Sequence, residues 1–131
     1  MYKIERKSSG YLLTFSGVVL KDEMQNWVKE SKAALSKESL PSFGVIVDMR
    51  TLTPLLPDTQ ELMVRGQGLY KKKGMKRSVV VLNNEVATMQ FKRLAKESGI
   101  YQWERYIDAS TTSNWSNVAV SWVRDGVDPD K

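Results

Sequence analysis

An α/β fold is predicted by three stretches of one pattern: Phe43-Gly-Val-Ile-Val-Asp-Met-Arg50, Arg77-Ser-Val-Val-Val-Leu-Asn-Asn84 and Tyr101-Gln-Trp-Glu-Arg-Tyr-Ile-Asp108. Each is an extended run that ends in polar residues just before a helical pattern, so the chain reads as strand-then-helix units. The expected architecture is an N-terminal β-hairpin followed by βαβαβα, a mixed, mostly parallel five-stranded sheet flanked by four helices. Open α/β sheets place ligands and partners at the carboxyl ends of their strands. Asp48, Arg50, Asn83, Asn84 and Asp108 are therefore expected along one edge, with Ser110 beside them, as a candidate partner or ligand edge.

The elements follow in order. Tyr2 to Lys7 alternates with the two-residue period of a strand, Ser8-Ser9-Gly10 reads as a turn, and Tyr11 to Phe15 returns. Leu20, Met24, Trp27, Val28, Ala34 and Leu35 recur at helical spacing, with Asp22 and Glu23 where a helix start favours negative charge, so the first helix is expected to run to about Ser36. After a polar connector over Lys37 to Pro41, Phe43 to Met49 is a strand closed by Asp48. Thr51, Thr53, Pro54 and Pro57 predict a loop from Arg50 to Pro57. Asp58 reads as an N-cap with Glu61 at capping-box spacing, and Gly74 stops this second helix after its lysines.

Ser78 to Leu82 is the next buried strand, and Asn83 or Asn84 caps a third helix with an apolar side of Val86, Ala87, Phe91, Leu94 and Ala95, ended by Ser98-Gly99. Ile100 to Ile107, of mixed content, is expected as an edge strand. Trp115, Val118, Ala119, Trp122 and Val123 share one face of a terminal helix capped by Ser113 or Asn114. Right-handed crossovers make the three later strands parallel to their predecessors, with helices on both faces.

Composition removes many functions. The 131 residues suit a single domain; 41% are hydrophobic and 27% charged, which excludes collagen-like, coiled-coil and disordered classes. The chain has no Cys and no His, so a disulfide framework, a thiol nucleophile and the commonest general base are all missing. Neither a G-x-S-x-G nor a G-x-x-x-x-G-K-[ST] string occurs. No enzymatic activity, metal or cofactor is expected. No apolar run is long enough to span a bilayer and the first residues interleave charge with apolar side chains, so a cytoplasmic location is expected.

The runs Phe15-Ser-Gly17, Val45-Ile-Val-Asp-Met-Arg50, Gly74-Met-Lys-Arg-Ser-Val-Val-Val81 and Tyr106-Ile-Asp108, followed by Ala119 and Trp122, resemble the SpoIIAA-like proteins of bacteria over essentially the whole chain. These belong with STAS domains and are similar to the lipid-binding Sec14 fold. Anti-sigma-factor antagonists of the STAS group carry a phosphorylated Ser in an Asp-Ser-Ser-Gly string. The matching region here is Pro57-Asp-Thr-Gln60, where Thr59 is the nearest hydroxyl and the Ser-Gly pair is absent. Asp58 and Thr59 are candidates for the same partner or ligand edge, although the plainer reading makes them helix-starting residues.

Gly66 and Gly68 each cost the second helix about 1 kcal/mol relative to Ala; close packing against the sheet is one reason for them, and room for an apolar ligand chain, which the Sec14 similarity implies, is the other. Lys71, Lys72, Lys73, Lys76 and Arg77 form a basic patch, as a solvated helix end or an attraction to phospholipid head groups, and Lys92, Arg93 and Lys96 form a second group near an outward Met89. With aromatics at 9% and Trp27, Trp115 and Trp122 on apolar helix faces, nucleic acid is not an expected partner. The expected function is a non-enzymatic interaction module binding a protein partner or a second copy of itself. The alternative is a carrier or sensor of an apolar or lipid-like ligand.

Overall fold

The computed structural model describes residues 1–37 and 40–131; part of the connector expected over Lys37 to Pro41 lies outside them. Strands β1 (Tyr2–Lys7) and β2 (Gly10–Gly17) form the antiparallel hairpin. Then follow α1 (Lys21–Lys37), β3 (Phe43–Leu52), α2 (Pro57–Lys72), β4 (Met75–Leu82), α3 (Glu85–Ser98), a 3-10 turn at Tyr101–Trp103, β5 (Glu104–Asp108) and α4 (Trp115–Asp125). The strands lie side by side in sequence order, and β2 to β5 are parallel.

Sequential order decides the layering. Crossovers of one hand that all step in one direction put their helices on one face of the sheet, and α1, α2 and α3 share a core with one set of strand side chains. Met24, Trp27, Leu35, Leu62, Met63, Phe91 and Leu94 pack there with Phe15, Val45, Val80 and Leu82. The alternate residues of β4, Val79 and Val81, point the other way and join Ile107, Ala119 and Trp122 in a smaller core under α4. Helix α4 is pinned by the Trp122 indole N–H, which donates to Ser78 O at 2.8 Å, and by Gly44, where an added Cβ would lie 2.8 Å from Cβ of Val123.

Several local expectations are corrected. Strand β3 continues past Asp48 because Thr51 and Leu52 pair with Ser16 and Gly17 of β2, so the expected loop begins at Thr53. The last strand is shorter than expected, its first residues forming the 3-10 turn, although β5 does lie at a sheet edge. Asp58 does not cap α2. Leu56 is the N-cap, with no side-chain bond, and Pro57 takes the first helical position, where its missing N–H costs nothing. Val86, assigned to the apolar side of α3, is 58% exposed.

The two helix glycines differ. At Gly66 a Cβ would lie 2.0 Å from Cζ3 of Trp27, whereas at Gly68 nothing lies within 4 Å. Gly66→Ala is therefore expected to lose about 1–3 kcal/mol through overpacking, and Gly68→Ala to gain up to about 1 kcal/mol through the unfolded chain. Chemical denaturation measures both, and shifts of the same sign would contradict this packing.

Candidate functional site

The polar residues expected at the carboxyl edge are there, but on two sides of the sheet. Asn83, Asn84, Asp108 and Ser110 line a cleft of about 650 Å³ with Met89 and Lys92. Asn84 caps α3, its Oδ1 accepting from the Ala87 N–H at 3.0 Å. Asp108 Oδ1 accepts from the backbone N–H and hydroxyl of Ser110 at 2.9 and 2.6 Å, a local turn. Asn83 is exposed, and its side chain makes no such bond among the described residues. Asp48 pairs in register with Val81, so the two-residue period sends it to the α4 side. There it holds Arg50 through two bonds of 3.0 Å, and the guanidinium lies 4.2 Å from the centre of the Trp115 ring. Beside this stack a groove of about 360 Å³ runs between α4 and β2–β3, past Leu12, Ile46, Val120 and Val123.

Asp58 is exposed in the first turn of α2, but Thr59 is fully buried, its hydroxyl donating to Asp58 Oδ1 at 3.3 Å. A buried hydroxyl is closed to a modifying enzyme and to a partner, which removes Thr59 from the contact edge.

Of an apolar rim on this same edge, sequence reading found the outward Met89 and missed the rest. Val18 and Leu20 follow β2, Leu56 follows β3, and Val86 and Met89 lie in the first two turns of α3; all five are between 54% and 72% exposed. The connections that carry them are tied together. The Thr53 N–H donates to Gly17 O at 2.9 Å, joining the first connection to the second. Gln90 of α3 then grips both polar groups of Leu55, accepting from its N–H at 2.8 Å and donating to its carbonyl at 3.0 Å. Gln60 adds a second donor to that carbonyl at 2.8 Å. The connections that carry the rim are thus tied together by the Thr53–Gly17 backbone bond and the Gln90 and Gln60 side chains.

Between helices and sheet the space is nearly filled. A cavity of about 30 Å³ lies among Phe15, Trp27, Gln67, Ser78, Phe91 and Glu104, enough for a water molecule or two. Glu104 is buried there; one oxygen accepts from the Ser78 hydroxyl at 2.7 Å and the other has no partner. Burial pushes its carboxyl up to about 7, against the smaller opposing effects of the Ser78 bond and the nearby Tyr106 hydroxyl.

In the basic patch, Lys71, Lys72, Lys73 and Lys76 are exposed, whereas Arg77 is half-buried, donating to Arg124 O at 3.3 Å and lying over Trp122. Among the described residues no helix is long and apolar enough to cross a membrane, and no cluster of acidic residues is arranged to hold a metal ion. In comparisons with known proteins, no family model and no curated protein matches the chain.

Two outcomes are expected. Gln90→Ala strands the N–H of Leu55, whose carbonyl keeps its bond from Gln60, and should cost about 1–3 kcal/mol, while Asn83→Ala stays within about 0.5 kcal/mol; equal costs in denaturant melts would contradict the clamp. Glu104 binds its proton more tightly folded than unfolded, so its contribution to stability is complete below its ordinary value of 4.5 and is lost as pH rises toward about 7. Glu104→Gln should therefore gain on the parent protein across that window and keep a constant difference above it. A pH-independent difference would contradict the burial of this carboxyl.

Proposed function

We propose that this chain is a non-enzymatic, cytoplasmic SpoIIAA-like interaction module that binds a protein partner, or a second copy of itself, through the carboxyl edge of its sheet. The observation that carries this reading is the clamped apolar rim of Val18, Leu20, Leu56, Val86 and Met89. Large apolar side chains held out in water on a rigid frame favour a contact that buries them, and rigidity lowers the ordering cost of association. Polar groups flank the rim: the Asn83–Asp108–Ser110 cleft on one side of the sheet and the Asp48–Arg50–Trp115 stack on the other. An apolar centre with a polar surround is the usual anatomy of a protein interface.

The carrier alternative has less support. Pockets for small molecules run to about 300–1,000 Å³ and are mostly apolar, whereas the cavity beneath the helices is about 30 Å³ and holds an unpaired carboxyl oxygen.

A photo-crosslinking residue placed at Leu56 or Met89 should give a discrete product of higher mass in cells, and one at the exposed Lys32 of α1 should not. The product should vanish when Leu20→Glu and Val86→Glu are combined in a protein of unchanged melting temperature. Its mass tells a second copy from another protein. Equal product from Lys32, or product that survives the glutamates, would contradict the reading.

A further inference from the structure

The opposite, amino edge of the sheet carries a second surface of different chemistry. Lys71 and Lys72 end α2, Lys73 follows, Lys76 begins β4 and Lys96 lies in the last turn of α3, so strand and helix direction brings all five to this edge. No ion pair among the described residues involves any of them. Two large aromatics lie in the same place. The 3-10 turn after α3 buries Ile100 but leaves Tyr101 39% and Trp103 52% exposed.

The contacts place lysines and rings together. Lys96 Nζ lies 4.8 Å from the centre of the Tyr101 ring, and Lys71 Nζ donates to Gly99 O at 3.0 Å. Trp103 shares a small concavity of about 40 Å³ with Lys71 and Lys76. A lysine-rich helix end alone is explained by the helix dipole. The dipole does not explain an indole left half in water among those lysines.

We propose that this edge docks on an anionic membrane surface, the lysines meeting lipid phosphates and carboxylates while Trp103 and Tyr101 enter the interfacial layer. Indole and phenol rings favour that depth, where an apolar body meets a polar tip, and clustered lysines are drawn to the negative surface potential. Single-stranded nucleic acid fits less well: it calls for a basic groove and successive stacking faces. Here the concavity is too small for a base, and Lys96 already lies over Tyr101. Docking by the amino edge leaves the carboxyl edge, at the other end of the strands, pointing away from the bilayer and open to a partner. The proposal does not depend on that second contact.

Vesicles of phosphatidylcholine with and without phosphatidylserine test it by co-sedimentation of the whole chain. Binding should need phosphatidylserine and weaken steeply with added salt. At about fivefold per lysine, the triple change Lys72→Gln, Lys73→Gln, Lys76→Gln should weaken binding about a hundredfold. These side chains are exposed and make no hydrogen bonds among the described residues, so the fold should be kept. With bromine-labelled acyl chains, tryptophan fluorescence should be quenched in the parent protein and much less in Trp103→Phe. No binding to phosphatidylserine vesicles, equal binding to neutral ones, or tighter binding of a single-stranded oligonucleotide that the vesicles do not displace would overturn the proposal.

Discussion

The structure turns on Trp27 lodged against Gly66. The indole is almost fully buried, stacked on Tyr70 at 6.0 Å and edge-on to Phe15 at 5.1 Å, and it occupies the place where any side chain on α2 at position 66 would have to be. It therefore joins α1, α2 and β2 at one point. The Ser31 hydroxyl bonded to the Tyr70 hydroxyl at 2.8 Å adds a buried polar tie between the same two helices. Aromatic contacts of this kind add about 0.5–1.5 kcal/mol each beyond the area they bury. Their larger effect is to fill the layer between helices and sheet.

A filled layer moves recognition to the outside. The sequential strand order puts three helices on one face and one on the other, and the strand-to-helix connections then lie in a row along the carboxyl edge. The backbone bond from Thr53 to Gly17 and the Gln90 side-chain amide on Leu55 turn that row of connections into a single frame. The apolar side chains on the frame have no neighbour to cover them. The same topology collects the helix ends and strand starts, with their lysines, at the other edge. One chain direction thus makes two ends of different chemistry.

Much of this was legible in the sequence. The β-branched runs of Val45 to Val47 and Val79 to Val81 announce central strands, Gly99 ends α3 in a left-handed conformation as its place predicts, and Asn84 caps that helix. What was not legible depends on partners distant in the chain. Thr51 and Leu52 look like loop residues until Ser16 and Gly17 pair with them. Gly66 and Gly68 look alike until one faces Trp27. Asp48 and Asn83 both read as strand-ending residues in the sequence, yet β3 runs on to Leu52, and strand parity and the chain's path past Leu82 assign them to different sides. Gln90 carries no signal of its own, and Glu104 reads as a surface residue of an edge strand although it is 3% exposed. Such roles are set by register and packing, which local pattern does not encode.

Trp27 closes the interior and leaves binding to the edges, and native mass spectrometry of the purified protein, followed by denaturation and organic extraction, reads whether anything is held inside. A closed interior gives the bare mass of the polypeptide, as one copy or a small whole number of copies, with nothing extracted. A stoichiometric lipid or other apolar adduct would contradict it, because such a molecule needs the space that the indole fills.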